Sequence, residues 1–97
     1  MKVAWTDQAL TRLEAIRDHI AQDNPTAALR LVSSLVARGD SLSRFSMRGH
    51  LLPEHAAKGL RQLIEGNFRI VYRVRGGTVE ILAVFERHRL LPEEDLP

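Results

Sequence analysis

The chain has 97 residues and a mass of 11.0 kDa, and 44% of its residues are hydrophobic and 27% charged. These values are typical of one small globular domain, residues 1–97, and they exclude a disordered or collagen-like chain. With no cysteine and a formal net charge of +2, the chain can form neither a disulfide nor a thiolate site, and its charge alone does not indicate nucleic-acid binding.

A short strand followed by a helix is predicted at the amino terminus. Residues 2–5 predict the strand, and Thr6 and Asp7 are typical helix-start residues. The helix is indicated by apolar residues at intervals of three and four, and it should end near Asp23. Those apolar residues are Leu10, Leu13, Ile16 and Ile20.

A second helix is predicted to begin at Asn24 and Pro25, because Asn is a strong N-cap and Pro favours the first helical position. Its apolar positions are Ala28, Leu31, Val32, Leu35 and Val36, and Leu42 and Phe45 continue the spacing past Gly39. The short connection between the two helices predicts an antiparallel hairpin. Residues 46–58 show no sustained period and are expected to form a connecting loop.

The apolar period then changes to two, which predicts two strands joined by the turn Gly76-Gly77. A two-residue turn pairs Val74 with Val79, Tyr72 with Ile81, Ile70 with Ala83, and Phe68 with Phe85, all on one apolar face. The opposite face pairs Arg75 with Thr78, Arg73 with Glu80, Val71 with Leu82, and Arg69 with Val84. The apolar face is expected to lie on the helices.

A third strand, Leu60 to Glu65, should precede these two through Gly66 and Asn67. A three-residue loop would place Leu60, Gln62 and Ile64 on the core side, and a two-residue loop would reverse the faces. We prefer the three-residue loop because it buries two aliphatic side chains rather than Arg61 and Glu65.

The predicted fold class is therefore α+β: strand, helix, helix and three antiparallel strands, with the helical hairpin on one face and the first strand joining the sheet. No second layer is predicted over the other face, which mixes arginines with aliphatic residues. A face of that kind is a candidate partner surface. The acidic segment 90–97 is expected to be irregular.

These elements resemble the RelE/ParE superfamily of toxins from bacterial toxin–antitoxin pairs. The residues that carry the resemblance are Trp5-Thr6 with Ala9, Leu13, Ile16 and Ile20, then Asn24-Pro25 with Ala28, then Gly59-Leu60-Arg61, and then residues 67–74 and 79–84. The resemblance spans nearly the whole chain, and it implies the fold described above.

The superfamily contains two activities. RelE-like members are ribosome-dependent mRNA endonucleases that surround the scissile phosphate with Lys and Arg and often use a Tyr or His near the carboxyl terminus. ParE-like members inhibit DNA gyrase and are not known to be nucleases. In both branches a cognate antitoxin wraps the toxin with its carboxyl-terminal segment, which implies an antitoxin partner for this chain. A cytoplasmic location is expected because the sequence shows neither a membrane-span pattern nor a signal-peptide pattern. Neither a cofactor nor a metal is implied, and the oligomeric state is left open between a toxin dimer, a heterotetramer with the antitoxin and a larger assembly.

The sequence favours the ParE branch, because its only tyrosine, Tyr72, is assigned to the core face. We therefore expect a gyrase-inhibiting toxin that a ParD-like antitoxin neutralises. The alternative is a RelE-like nuclease acting on ribosome-bound mRNA through Arg61, Arg69, Arg87 and His88. A third hypothesis is an inactive member that only binds the antitoxin.

Two binding surfaces are expected. The predicted antitoxin-binding residues are Arg61, Arg69, Val71, Arg73, Arg75, Leu82 and Val84, because an antitoxin tail offers acidic and apolar side chains to match them. The predicted target-binding residues are Arg87 and Arg89. The plainer interpretation of the arginines is a solvated sheet face with cross-strand pairs such as Arg73 with Glu80.

Overall fold

The structure is a computed structural model that describes residues 1–90 and Leu96, so most of the acidic terminal segment lies outside the described residues. The strands are β1 (Lys2–Trp5), β2 (His50–Leu51), β3 (Arg61–Glu65), β4 (Phe68–Arg75) and β5 (Thr78–Glu86), and the helices are α1 (Asp7–Ala21) and α2 (Pro25–Asp40). Short 3₁₀ turns cover Ser41–Ser43 and Pro53–Lys58. Neither helix in this part of the chain is long and apolar enough to cross a membrane.

The five strands form one mixed sheet in the order β1-β5-β4-β3-β2, with β1 parallel to β5 and the other neighbours antiparallel. Both helices pack on the same face, where Leu13 and Leu35 join Ile70, Tyr72 and Ile81 in the main core. The predicted α+β class and the addition of β1 to the sheet are confirmed.

Both predicted helix starts are confirmed. The Thr6 hydroxyl accepts a hydrogen bond from the Ala9 N–H at 3.1 Å, and the Asn24 side chain accepts one from the Ala27 N–H at 3.0 Å. The inward position at the start of α1 is held by Ala9, which is fully buried, whereas Leu10 is 42% exposed. The expectation for Leu10 was wrong because Ala9, four residues before Leu13, begins the buried stripe.

Gly39 belongs to α2 although glycine disfavours helix interiors, and its neighbours give the reason. A Cβ at this position would lie 2.5 Å from Trp5 Cζ2 and 2.8 Å from Ile81 Cδ1. The Trp5 indole N–H also donates to Asp40 Oδ1 at 3.1 Å. The last turn of α2 therefore needs a glycine to approach β1, and beyond it Leu42 is buried while Phe45 is exposed.

The predicted register of β4 and β5 is confirmed from the turn as far as Tyr72 and Ile81. Beyond that point a β-bulge inserts Leu82, so that Val71 pairs with Ala83 and Ile70 with Val84. The pairs predicted for Val71, Ile70, Arg69 and Phe68 were therefore wrong. An extra residue in one strand moves the following side chains to the other face, which places Val84 toward the helices.

The preferred register of β3 was also wrong, because Glu65 pairs with Phe68 across a two-residue turn. Leu63 consequently lies in the main core. Arg61 and Glu65, which the predicted register kept out of the core, both have partners within the chain. Arg61 Nη1 donates to the Gly49 carbonyl at 2.7 Å, and Glu65 lies 3.4 Å from Arg38 Nε.

The far face of the sheet, opposite the helices, is not open. Leu52 and Leu60, from the connection between β2 and β3, pack there with Val71, Leu82, Ala83 and Phe85, and Leu96 packs against the same cluster. Exposure is 0% for Val71, 7% for Leu82 and 1% for Val84, so the expectation that these side chains face solvent was wrong. The connecting segment supplies the second layer that the sequence pattern did not reveal.

Candidate functional site

The far-face arginines are largely paired within the chain. Arg73 Nε donates to Glu80 Oε1 at 2.8 Å, as the cross-strand interpretation predicted. Arg69 donates to the Gln62 side chain at 3.3 Å and to the Arg89 carbonyl. Arg75, at the end of β4, is exposed.

Arg61 and Arg69 lie on opposite faces of the sheet. Arg61 pairs with Tyr72, whose side chain belongs to the core beneath the helices, whereas Arg69 pairs with Phe85 of the far-face cluster. Directly paired residues of an antiparallel sheet share a face. The four residues of the nuclease hypothesis are therefore not gathered on one surface.

Arg87, His88 and Arg89 are exposed in the turn that follows β5. The Arg87 backbone N–H donates to the Asn67 carbonyl at 2.7 Å, which ties this turn to the one between β3 and β4. The structure thus brings Arg69, Arg87, His88 and Arg89 to one end of the sheet. The three arginines form a charged rim there, and His88 lies beside them.

Tyr72 is fully buried, and both hydrogen-bonding capacities of its hydroxyl are used. The hydroxyl donates to the Ser46 carbonyl at 2.8 Å and accepts from the Gly49 N–H at 2.8 Å. Burial raises the pKa of Tyr72 above its ordinary value, while the Gly49 hydrogen bond and the charge of Arg61 oppose that rise. The hydroxyl anchors the segment that follows α2.

A groove that the sequence did not predict runs between α1 and the second half of β5. Because β1 pairs with β5 only as far as Ile81, residues 82–86 have no strand neighbour on that side among the described strands. We call this the α1–β5 groove. It is lined by Arg12, Ala15, Ile16, His19, Ile20, Phe68, Val84, Phe85, Glu86 and Arg89.

The groove combines an apolar floor with cations at its rim. The Arg12 guanidinium carbon lies 4.8 Å from the centre of the Phe85 ring, and that of Arg89 lies 5.8 Å from it. A neighbouring cleft shares Ile20, Phe68 and Glu86 with the groove and continues it toward Arg87 and His88. The bulge at Leu82 sets the direction of Phe85, so no sequence period could have indicated this surface.

In the part of the chain that the structure describes, no group of three or more His, Asp or Glu residues could hold a metal ion. The α1–β5 groove and the charged rim offer arginines and apolar side chains. Such surfaces suit docking of a partner.

Comparisons with known proteins agree with this fold. Residues 3–91 match the family described as "ParE toxin of type II toxin-antitoxin system, parDE". The chain is 39% identical to "Toxin RelE2" of Caulobacter vibrioides, over 92% of this chain and 98% of that protein. It is 32% identical to "Putative toxin Y4kP" of Sinorhizobium fredii, over 95% of this chain and 94% of that protein.

Two solved structures are similar along most of their length. A chain of the "Chromosomal ParDE TA system from P. aeruginosa" has a TM-score of 0.73 and 29% identity, covering 89% of this chain and 95% of that one. A chain of the RelBE2 toxin–antitoxin complex from Mycobacterium tuberculosis has a TM-score of 0.67 and 28% identity, covering 89% and 96%. The sequence, the fold and these similarities lead to one conclusion: the chain belongs to the ParE toxin family within the RelE/ParE superfamily of type II toxin–antitoxin toxins.

Proposed function

We propose that this toxin inhibits DNA gyrase by protein–protein binding and that a ParD-like antitoxin neutralises it. The observation that carries the proposal is the state of Tyr72, the only tyrosine of the chain. Its hydroxyl is buried and bonded to Ser46 and Gly49, so it is withheld from proton transfer at a scissile phosphate. The chain offers docking surfaces in place of a tyrosine-based catalytic centre.

The competing activity is ribosome-dependent mRNA cleavage. It is considered because two similar proteins carry RelE-type names, Toxin RelE2 and the RelBE2 complex. It would use the exposed His88 with Arg69 and Arg87 at one end of the sheet. Arg61 lies on the other face and could not join them without a change of register. Metal-independent cleavage needs an acid, a base and cations around one phosphate, and Arg61, on the other face, is missing from that group.

We assign the antitoxin to the α1–β5 groove. Its apolar floor and its cations Arg12 and Arg89 match a segment that carries apolar and acidic side chains. Val84 lines the groove and stays in the predicted antitoxin set. Arg69 donates to the Arg89 carbonyl at the groove rim, whereas Arg75 lies at the opposite end of β4. Val71 and Leu82 are buried beneath Leu52 and Leu60 and could be reached only if that layer moved.

Neutralisation is explained if the antitoxin and gyrase contact some of the same toxin residues. Arg89 lines the groove, and Arg87 lines the cleft that continues it. If these two cations also contact gyrase, an antitoxin in the groove covers part of the same surface. The antitoxin would thus compete directly with the target.

Purified gyrase, relaxed plasmid and ATP provide the test of the gyrase assignment. We expect the toxin to block supercoiling or to accumulate linear plasmid, and we expect the antitoxin to reverse the effect. Unchanged supercoiling by a folded toxin, together with mRNA cleavage in a purified translation system, would refute the assignment in favour of the nuclease.

Charge reversal tests the groove. The double variant Arg12→Glu/Arg89→Glu should weaken antitoxin binding by about tenfold or more, because it turns attraction to acidic residues into repulsion. Arg30→Glu is the matched control, since Arg30 is exposed on α2 outside the groove. Equal affinities for the double variant and the control would show that the antitoxin binds elsewhere.

A further inference from the structure

The segment between α2 and β2 exposes several large apolar side chains. Phe45 is 55% exposed, Met47 62% and Leu51 45%. Single exposed hydrophobic residues are ordinary, but a group within one short segment marks an interaction surface. We call this surface the 44–51 patch; its residues are Arg44, Phe45, Met47, Arg48 and Leu51.

The backbone beneath the patch is fixed to the sheet. The Tyr72 hydroxyl bonds to the Ser46 carbonyl and the Gly49 N–H, and Arg61 donates to the Gly49 carbonyl. A Cβ on Gly49 would lie 2.7 Å from the Tyr72 ring, so only glycine allows the backbone to pass this close to the core. A surface held in this way loses little conformational entropy when a partner binds.

The patch is also positively charged. Residues 41–53 contain Arg44 and Arg48 and no acidic residue. The Arg48 guanidinium carbon lies 4.9 Å from the centre of the Phe45 ring, and its Nη1 donates to the Ser41 hydroxyl at 3.3 Å. Cations are therefore interleaved with the apolar side chains.

These features select one kind of occupant. A second copy of the patch would bring like charges together, which disfavours self-association. Nucleic acid could contact the arginines through its phosphates and Phe45 through its bases, but it would offer no apolar contact to Met47 and Leu51. A protein surface with acidic and apolar side chains satisfies both parts of the patch.

The patch lies away from the α1–β5 groove. Its anchors are Arg61, at the start of β3, and Tyr72, which pairs with it, whereas the groove and Arg87 lie where β5 ends and β4 begins. A segment confined to the groove would therefore leave the patch uncovered.

We propose that the 44–51 patch is a second contact surface for the target protein, binding an acidic, apolar region of it. This inference rests on the proposed function, in which that target is gyrase. Arg87 and Arg89 would contact the target at one end of the sheet, and the patch would contact it at the other.

Separation of the two binding activities tests the proposal. The triple variant Phe45→Ser/Met47→Ser/Leu51→Ser should raise the toxin concentration that half-inhibits gyrase by about tenfold or more, as loss of apolar anchors does at interfaces. Its affinity for the antitoxin should stay within about twofold, as for other exposed substitutions. Arg44→Glu/Arg48→Glu should weaken gyrase inhibition in the same direction.

Leu10→Ser/Leu29→Ser is the matched control, because these side chains are 42% and 67% exposed outside the patch. This control should inhibit gyrase as the wild type does. Circular dichroism and thermal melting report whether each variant is folded. If the triple variant has a lowered melting temperature, Met47→Ser alone replaces it, because Met47 is the most exposed of the three apolar side chains.

The outcomes are distinguishable. If wild type and triple variant inhibit gyrase at the same concentration, the proposed role of the patch is wrong and the gyrase proposal is unaffected. If the wild type does not inhibit gyrase, both proposals are wrong. A loss of antitoxin affinity in the triple variant would assign the patch to the antitoxin. DNA binding that Arg44→Glu/Arg48→Glu abolishes, or a toxin dimer that the triple variant dissociates, would replace the proposed occupant by nucleic acid or by a second copy.

Discussion

Tyr72 makes a pH-dependent contribution to stability that can be measured without a label. Burial raises its pKa in the folded chain above the ordinary value of 10.0, so the fold favours the neutral phenol. This stabilisation is fully present below the pKa of the unfolded chain and is lost as the pH rises through the raised pKa of the folded chain. Because the chain has one tyrosine, its tyrosinate absorbance reports this group alone.

We therefore expect the tyrosinate titration of the folded toxin to have its midpoint above that of the unfolded chain in denaturant. Tyr72→Phe should remove this alkaline dependence of the melting temperature. It should also cost about 1–3 kcal/mol at neutral pH, since the Gly49 N–H and the Ser46 carbonyl lose their partner. Equal midpoints in the folded and unfolded chains would show that the phenol is not buried as described.

Gly39→Ala separates helix propensity from packing, because the two predict opposite signs. Propensity alone would stabilise the helix by about 1 kcal/mol. The close approach of Trp5 and Ile81 instead predicts destabilisation by about 1–3 kcal/mol, since an inserted methyl group must displace them.

Chemical denaturation measures the sign of the Gly39→Ala effect. Ser33→Ala, exposed on the same helix, is the control and should stabilise by a few tenths of a kcal/mol, as its propensity predicts. A stabilised Gly39→Ala variant would contradict the packing of Trp5 against α2.

At the level of the elements, the two N-caps should differ in strength. Asn24→Ala removes one capping hydrogen bond from α2 and should cost about 1 kcal/mol. Thr6→Ala removes the cap of α1 and also the bond from the Thr6 hydroxyl to the Ile81 carbonyl at 2.9 Å, so it should cost about 2 kcal/mol.

Thermal melting ranks these cap variants. Thr6→Ser keeps the hydroxyl and should lie closest to the wild type. A Thr6→Ala variant that is no less stable than Asn24→Ala would show that the tie between α1 and β5 contributes nothing.

The elements themselves were predictable wherever one local signal determined them. The caps at Thr6 and Asn24 and the turn at Gly76-Gly77 each depend on neighbouring residues, and the structure confirms all three. The bulge at Leu82 was hidden because residues 81–85 are all apolar, so alternation carries no information there.

The predicted register of β3 was wrong for a different reason. Arg61 and Glu65 were kept out of the core because only the strand itself was considered. The partners that offset the cost come from Gly49 and Arg38, which are distant in sequence. Costs of burial depend on tertiary partners that a local pattern does not contain.

At the level of the whole molecule, the same limit applies to the candidate site. Arg87, His88 and Arg89 were singled out from the sequence, and the structure places them on the surface at one end of the sheet. The α1–β5 groove was missed because it forms only when α1 lies beside the part of β5 that β1 leaves unpaired. The covering of Val71 by Leu52 and Leu60 was missed because a loop without a period gives no sign of the face on which it packs.

We propose that this toxin acts on gyrase by docking and not by cutting RNA. The most direct measurement follows plasmid topology and transcript ends in the same culture, after the toxin is induced without its antitoxin. Wild type and His88→Ala are compared, since His88 is the acid or base that the nuclease hypothesis requires. We expect both to leave the plasmid relaxed or linearised and the transcripts uncut. Cut transcripts with normally supercoiled plasmid in the wild type, and no growth arrest by His88→Ala, would contradict the claim.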